Sequence, residues 1–311
     1  MKYEFKTIEP KCAICSSEKK VNLYNRKKYI SSDLTHFGIV RCIDCGHIYL
    51  SPRPTDETLG DYYQGKYYTA ANAQSGEKKQ TSHAFLYANY VKRFYKSLNC
   101  KILDVGCGDG TFIEYMAKNG ANCFAVEPDK RTRDLVSNYD GVNNVWQYLS
   151  DVNENGFDVI TMFEVIEHLT NPSTDLEICN KLLKENGSLI IKTPNANAFE
   201  SKLLGPDWIS LEIPRHLHFF TDNTINKILN QSGFEIKKIM YPTHDRALLR
   251  SIWLKLTTKG KATSNITAEY STNSWRRKID RTICSLLFPM WFIFSIFKAS
   301  HSITVHAVKS K

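Results

Sequence analysis

Residues 101–112, KILDVGCGDGTF, constrain the fold of this chain more than any other segment. Ile102, Leu103 and Val105 form a short apolar run, glycines follow at 106, 108 and 110, and a helical pattern begins near Thr111. A turn so rich in glycine lets backbone approach a ligand at the carboxyl end of a strand, where open α/β sheets bind their ligands. The pattern then repeats: FAVEPD at 124–129 reads as a second strand ending in an acid, FDVITMFEVIEHL at 157–169 as a third, and SLIIKTPN at 188–195 as a fourth. Amphipathic helical stretches separate them. GFEIKKIMYP at 233–242 and SITVHAVK at 302–309 read as the last two strands, with an insertion of some sixty residues between them.

A strand, a glycine-rich turn, a helix and a strand ending in Glu127 form the arrangement that binds an adenosine. The turn offers backbone, and the carboxylate takes the two ribose hydroxyls. A dinucleotide and S-adenosylmethionine both satisfy it. Asp104 sits at the end of the first strand, and the turn lacks the GxGxxG pyrophosphate cradle. An acid there suits a cationic ligand and repels a phosphate.

Nine cysteines divide into two kinds. Cys12, Cys15, Cys42 and Cys45 make two CxxC pairs, CAIC and CIDC, separated by 26 residues, whereas the other five are scattered singly. Two such turns complete the tetrahedral thiolate shell that a structural zinc ion prefers; two disulfides or four unrelated buried thiols are the alternatives. Gly46 follows the second pair, where a missing Cβ lets amides turn toward the sulfurs. His47 is surplus to the shell and is expected on the surface. The organisation expected is a zinc ribbon over residues 1–60, an aromatic-rich helical junction over 61–98 carrying Tyr62, Tyr63, Tyr67 and Tyr68, a nucleotide-binding core over 99–245, and a basic, apolar helical insertion plus last strand over 246–311.

LDVGCGDGTF, the acid of AVEP, FDVITMFEVIEHL, LLKENGSLIIKTPN and PRHLHFFTDNTI, in that order, closely resemble the class I S-adenosylmethionine-dependent methyltransferases over about residues 85–240. The ribbon followed by tyrosine-rich sequence resembles their zinc-tethered branch, found beside bacterial sugar and surface-polysaccharide enzymes. The resemblance implies an α/β fold: a Rossmann-like seven-stranded methyltransferase sheet with a small N-terminal zinc-ribbon domain and a helical C-terminal insertion. It implies that Asp104, Gly106 and Gly108 line the methionine end, with Cys107 and Asp109 of the same turn. Glu127, followed by Pro128, holds the ribose, and Phe163 and Glu164 border the methyl group.

Methyl transfer is an in-line displacement, so the enzyme places a nucleophile about 3 Å from the methyl carbon and, for a hydroxyl, helps remove its proton. His216 and His218 in EIPRHLHFFT fall on one side of an extended segment by alternation, and either suits a general base. Sugar C-methyltransferases with a similar ribbon carry a tyrosine and a Glu-His pair here, whereas this chain has Ile213 and Arg215-His216, which favours a hydroxyl acceptor. Glu164, Glu167 and His168 spell ExxEH. Ubiquinone O-methyltransferases and small-RNA 2′-O-methyltransferases use a similar string for a divalent ion, to which His216 or His218 would add a ligand. In enzymes of the class that need no metal, His168 orders the active-site loop. Catalytic candidates are therefore His216, His218, Glu164 and His168.

The formal net charge is +9. Residues 246–311 hold twelve Lys or Arg against Glu269 and Asp280, so the remainder of the chain is close to neutral. Arg276, Arg277, Lys278 and Arg281 precede an uncharged stretch from Thr282 to Phe297, broken by Pro289 and too short to span a bilayer. Residues 275–300 thus suit either a helix lying on an anionic membrane surface or a lid or dimer interface. Nucleic acid is disfavoured, because residues 1–60 are nearly balanced in charge. With no signal peptide visible, a cytoplasmic protein, peripheral on the inner face of the membrane, is expected. The activity expected is O-methylation of a sugar hydroxyl on a nucleotide- or lipid-linked glycan. The alternatives are a metal-assisted O-methyltransferase of RNA or a quinone-like diol, and a non-catalytic zinc-ribbon binding module.

Overall fold

The computed structural model describes residues 6–24, 37–63, 81–242, 248–249, 251–252, 282 and 288–310. Its N-terminal strands are β1 (Thr7–Ile8), β2 (Lys20–Asn22), β3 (Ile39–Cys42), β4 (Ile48–Leu50) and β5 (Arg53–Pro54). The strands β2, β3 and β4 form an antiparallel meander, and β1 pairs with β5. Gly46 takes φ +80°, a left-handed conformation that closes the second knuckle with its amide donating to the Cys42 carbonyl at 3.0 Å. The four cysteine sulfurs converge: Cys12 lies 3.4 Å from Cys45, and Cys15 lies 3.5 Å from Cys42. A disulfide needs about 2.05 Å, so all four are free thiols. A tetrahedral zinc with bonds of about 2.3 Å separates its sulfurs by roughly 3.8 Å, and these four fit such an ion.

A short helix α1 (Asp56–Leu59) and a 3-10 turn, Gly60–Tyr63, lead out of the ribbon. Tyr67 and Tyr68 lie outside the described residues. Then follow α2 (Thr81–Tyr95), β6 (Lys101–Val105), α3 (Thr111–Lys118), β7 (Asn122–Val126), α4 (Lys130–Val136), β8 (Val142–Trp146) and β9 (Phe157–Phe163). The chain continues through α5 (Pro172–Leu182), β10 (Leu183–Pro194), α6 (Phe199–Leu204), β11 (His218–Phe219), α7 (Asp222–Gln231), β12 (Phe234–Met240), α8 (Phe288–Ile296) and β13 (Ser302–Lys309).

Seven strands form the central sheet in the order β12-β13-β10-β9-β6-β7-β8. The strands β10, β9, β6, β7 and β8 run parallel, and β13 is antiparallel to both its neighbours. This is the Rossmann-like seven-stranded sheet. Its central strands are apolar throughout because helices cover both faces: Ile102, Leu103, Val159, Ile160, Ile190 and Ile191 are all fully buried. Ala84, Ala88 and Val91 of α2 pack one face with Phe112 and Ile113 of α3. Leu176 and Leu182 of α5 with Ile225 and Ile228 of α7 pack the other. The third strand ends earlier than its apolar run, at Phe163, because Glu164 turns left-handed with φ +59°. The strand β8 escaped the sequence reading because Asn143 and Asn144 interrupt its apolar pattern.

The ribbon is stitched to this core. The strand β11 adds to β4 as the fourth strand of the ribbon sheet, pairing His218 with Tyr49 and Phe219 with Ile48. That strand comes from within the segment assigned to the core. Cys12, Ile14, Val40 and Tyr49 share an apolar cluster with Phe220 and one face of the central sheet. His47 is fully buried, which corrects its expected surface position: β11 returns beside β4 and brings the side chains of His218 and Phe220 over it.

Trp291 of α8 is buried and Phe294 stacks on Phe199, with centroids 4.5 Å apart. Phe292, Ile293, Ile296 and Phe297 face outward. Arg276, Arg277, Lys278 and Arg281 lie outside the described residues. Among the described residues no helix is long and apolar enough to cross a membrane.

Purified protein is expected to carry one zinc per chain, and Cys42→Ser to lose it, as read by elemental analysis. The loss should lower stability by several kcal/mol, a fraction of the ~10 kcal/mol or more that zinc supplies to isolated fingers. Metal-free protein with wild-type stability would refute this.

Candidate active site

The adenosine-type cradle forms at the carboxyl ends of β6 and β7. Gly106 has φ +71°, and a Cβ there would lie 2.6 Å from a Val165 methyl, so the turn and the ExxEH loop are in direct contact and leave no room for a side chain. The amides of Gly106 and Cys107 both donate to the Val126 carbonyl, which holds the turn against β7. Glu127 is buried, and its carboxylate accepts from the amides of Gly108 at 2.9 Å and Asp129 at 2.9 Å. The acid is thus fixed beside the turn before any ligand arrives. Asp109 accepts from the Thr111 amide at 3.0 Å and so starts α3. The Pro128 carbonyl accepts from Arg133.

Asp104 is buried, accepts from Thr161 Oγ1 at 2.7 Å, and has its pKa pushed up to about 7 by burial. A cationic ligand would favour the ionised form. Phe163 follows Thr161 by two residues on the same face of β9: it stacks on Tyr87 with centroids 4.1 Å apart and meets Phe112 edge-on. Tyr87 was invisible as a site residue because a tyrosine on an amphipathic helix carries no motif.

The ExxEH string is divided by the fold. Glu164, in its left-handed turn, pairs with Lys192 of β10. Glu167 and His168 instead meet His216, and the three donor atoms lie within 4.8 Å of one another. His216 is thus the histidine that joins the cluster, while Glu164, expected in it, is absent because its turn swings the side chain toward β10.

The hydrogen bonds fix which nitrogen of each imidazole is bare. His168 Nδ1 lies 3.0 Å from the Arg215 carbonyl, and His216 Nδ1 lies 2.8 Å from the Ser210 carbonyl. A carbonyl only accepts, so both Nδ1 atoms carry protons and both Nε2 atoms keep lone pairs. Tyr63, from the turn that leaves the ribbon, places its hydroxyl 3.0 Å from His168 Nδ1. Glu167 accepts from Thr193 at 3.0 Å through Oε2, while the buried Oε1 has no hydrogen-bond partner among the described residues. Burial holds both imidazoles neutral, pushing His168 and His216 each down to about 3, and pushes Glu167 up to about 8. His216 Nε2 also lies 3.6 Å from Glu212 Oε2. That Glu212 oxygen is already paired with the Arg215 guanidinium at 2.9 Å. A carboxylate oxygen and two neutral imidazoles, each oriented by a backbone carbonyl, form a donor set that fits a divalent ion.

His218 does not join them. Its Nε2 lies 3.0 Å from the Leu169 carbonyl and its Nδ1 lies 3.0 Å from His47 Nε2, so both ring nitrogens are engaged. Between the two histidines, Leu217 donates to the Glu167 carbonyl at 2.8 Å and accepts from the Leu50 amide at 2.9 Å. The ribbon edge, the ExxEH loop and the His216 loop are thus joined through one residue.

A family model described as a methyltransferase domain matches residues 71–239, more than half of the chain. The ubiquinone biosynthesis O-methyltransferase of Maricaulis maris is 32% identical over 151 residues, 44% of this chain and 59% of that protein. The chain thus spans less than two thirds of that relative. Among solved structures, magnesium protoporphyrin IX methyltransferase from Synechocystis PCC 6803 with bound SAH has a similar fold, with a TM-score of 0.50 and 14% identity over 82% of this chain and 100% of that one. The [4+2]-cyclase SpnF is equally similar, with a TM-score of 0.51 and 14% identity over 76% of this chain and 84% of that one. Chemistry therefore has to be read from the site and not from the fold.

Gly106→Val and Glu127→Ala are each expected to abolish S-adenosylmethionine binding in calorimetry; wild-type affinity in both would sink the cradle. A second expectation concerns Asp104, whose carboxyl pKa is raised on folding. Its folded form binds a proton that the unfolded chain has released, so its contribution to stability is present at low pH and is lost as pH rises from about 4 to about 7. Relative to wild type, Asp104→Asn should therefore be more stable at pH 8 than at pH 5 in urea unfolding. An equal difference at both would show that Asp104 titrates normally.

Proposed function

The chain belongs to the methyltransferase domain family, and from that premise we propose that it transfers a methyl group from S-adenosylmethionine to one hydroxyl of a vicinal diol, quinone-like in class, with a divalent ion held by Glu167, His168 and His216. The observation that carries this reading is the convergence of one carboxylate oxygen and one nitrogen from each of two imidazoles beside the loop that touches the glycine turn. The names of the relatives support an oxygen acceptor and a quinone-like class.

S-adenosylmethionine supplies, when bound, an electrophilic methyl group. The ion would supply, when bound, charge that lowers the pKa of a hydroxyl beside it. The rest is the work of this chain. Gly106 and Glu127 seat the nucleoside, and Asp104 offers a carboxylate to the cationic end. Burial keeps His168 and His216 neutral, which is the form that binds a metal. It also makes a lone His216 a weak proton acceptor, since a general base works best with a pKa near the operating pH. Metal assistance is therefore preferred to the unassisted base expected for His216.

The ribbon favours a second acceptor, the sugar hydroxyl of a surface glycan. The ribbon reaches the loops of the site through the Leu50 amide, Tyr63 of the turn that leaves the ribbon meets His168, and the family match begins only at residue 71. The outward apolar face of α8 supports a peripheral position on an anionic membrane, which suits a lipid-linked acceptor of either class.

Glu167→Gln and His216→Ala should each abolish manganese binding measured by calorimetry. Each should cut methyl incorporation from radiolabelled S-adenosylmethionine into catechol roughly a hundredfold, with cofactor affinity near wild type. Chelator-resistant turnover in wild type, together with an inactive His216→Ala, would restore the unassisted base. Incorporation into a glycan fraction and none into catechol would move the acceptor to the second class.

A further inference from the structure

A second buried polar chain lies behind His216, outside the donor cluster. Glu200 of α6 is almost completely buried, and its Oε1 lies 2.6 Å from His301 Nδ1. His301 Nε2 lies 3.1 Å from Ser210 Oγ. The carbonyl of that same Ser210 accepts from His216 Nδ1 at 2.8 Å. A carboxylate, an imidazole and a hydroxyl are thus strung in series and end on the peptide group that orients His216. No motif marks this pair, since Glu200 and His301 are separated by 101 residues.

We propose that Glu200 and His301 are positioning residues that act through Ser210 to hold His216 in the tautomer with its Nε2 bare. This rests on the role given above to His216. Ser210 lies in a 3-10 turn, Ile209–Leu211, with few backbone bonds of its own. Its carbonyl direction therefore depends on what grips its side chain. His301 supplies the grip, and it is itself fixed: its carbonyl accepts from the Asn195 amide at 2.7 Å, and Trp208 meets its ring edge-on. Whichever of Glu200 and His301 holds the shared proton, Nδ1 stays on the carboxylate and Nε2 stays on Ser210. If Ser210 rotated, His216 would lose the acceptor that keeps the proton on Nδ1. The proton could then move to Nε2, which would leave that nitrogen no lone pair to offer an ion.

The same residue types in series also make a nucleophilic triad in hydrolases. Here the serine is buried and its backbone carbonyl is committed to His216. The series is read as support for His216 and not as a second catalytic centre.

The test uses the full-length protein with histidines labelled in nitrogen-15, so no acceptor is needed. In wild type the His216 ring should show the two-bond coupling pattern of the Nδ1–H tautomer. In His301→Ala and Glu200→Ala that pattern should give way to a mixture or to the Nε2–H form. Glu200→Gln, whose amide oxygen still accepts from Nδ1–H, should restore it. Manganese affinity should fall about tenfold or more in the two alanine variants and return in the glutamine variant. In a His216→Ala background the His301→Ala change should have no further effect on the residual turnover, because the two act through one group. A His216 that stays purely Nδ1–H in both alanine variants would overturn the proposal. So would an alanine effect that persists undiminished without His216. If His216→Ala itself left metal binding intact, the cluster reading above would fail, while the tautomer measurement would still decide the relay.

Discussion

The pairing of β4 with β11 is the interaction on which the site depends. Two residues of strand, His218 and Phe219, connect a small cysteine-held sheet to the loop that carries His216. Leu217, one position earlier, spends its amide on Glu167 and its carbonyl on Leu50, so the relative positions of ExxEH loop, histidine loop and ribbon are set by backbone bonds of 2.8 and 2.9 Å. Backbone bonds do this better than side chains, because they involve no rotamer to be frozen. The buried His47–His218 contact then fixes the register, since a slip by one residue would put Phe219 where an imidazole must accept from His47.

Burial is tolerated in this site because the polar groups are spent in a particular order. Each imidazole donates its one N–H to a carbonyl, so neither needs to be charged to be satisfied, and burial then holds both neutral. What is left over is a set of acceptors: two ring nitrogens and the orphaned oxygen of Glu167, with the Glu212 carboxylate nearby already paired to Arg215. A buried polar group without a partner costs about 1–3 kcal/mol, and an excess of acceptors is relieved by a cation. Stability and affinity are therefore opposed here, as is usual at functional sites.

The adenosine cradle was legible in the sequence because it is local: strand, glycines and helix lie within a dozen residues, and Glu127 follows one strand later. The four cysteines were legible for the same reason, since CxxC is itself a turn. The cluster was only half legible. Glu167 and His168 are adjacent, but Glu164 leaves them through a left-handed turn that no residue type announces, and His216 joins from 48 residues beyond His168. Nothing local marks His47 either, because its burial comes from a strand of two residues, too short for periodicity to register. Alternation did put His216 and His218 on one side of the chain, yet neighbours from different elements give them different tasks: carbonyl and cluster for one, carbonyl and His47 for the other.

The distance between the two halves of the ribbon sheet has a consequence for how the molecule is made. His47 and His218 are 171 residues apart. At roughly 5–20 residues per second on a ribosome, the edge of β4 waits on the order of ten to thirty seconds for its partner. Throughout that interval the meander has an open edge able to pair with any passing strand. The knuckles need no such wait, because the last cysteine of the set is at position 45. Early capture of an ion there would give the nascent chain a folded and stationary edge, and the arrival of the His216 loop would become a docking step onto a surface already built.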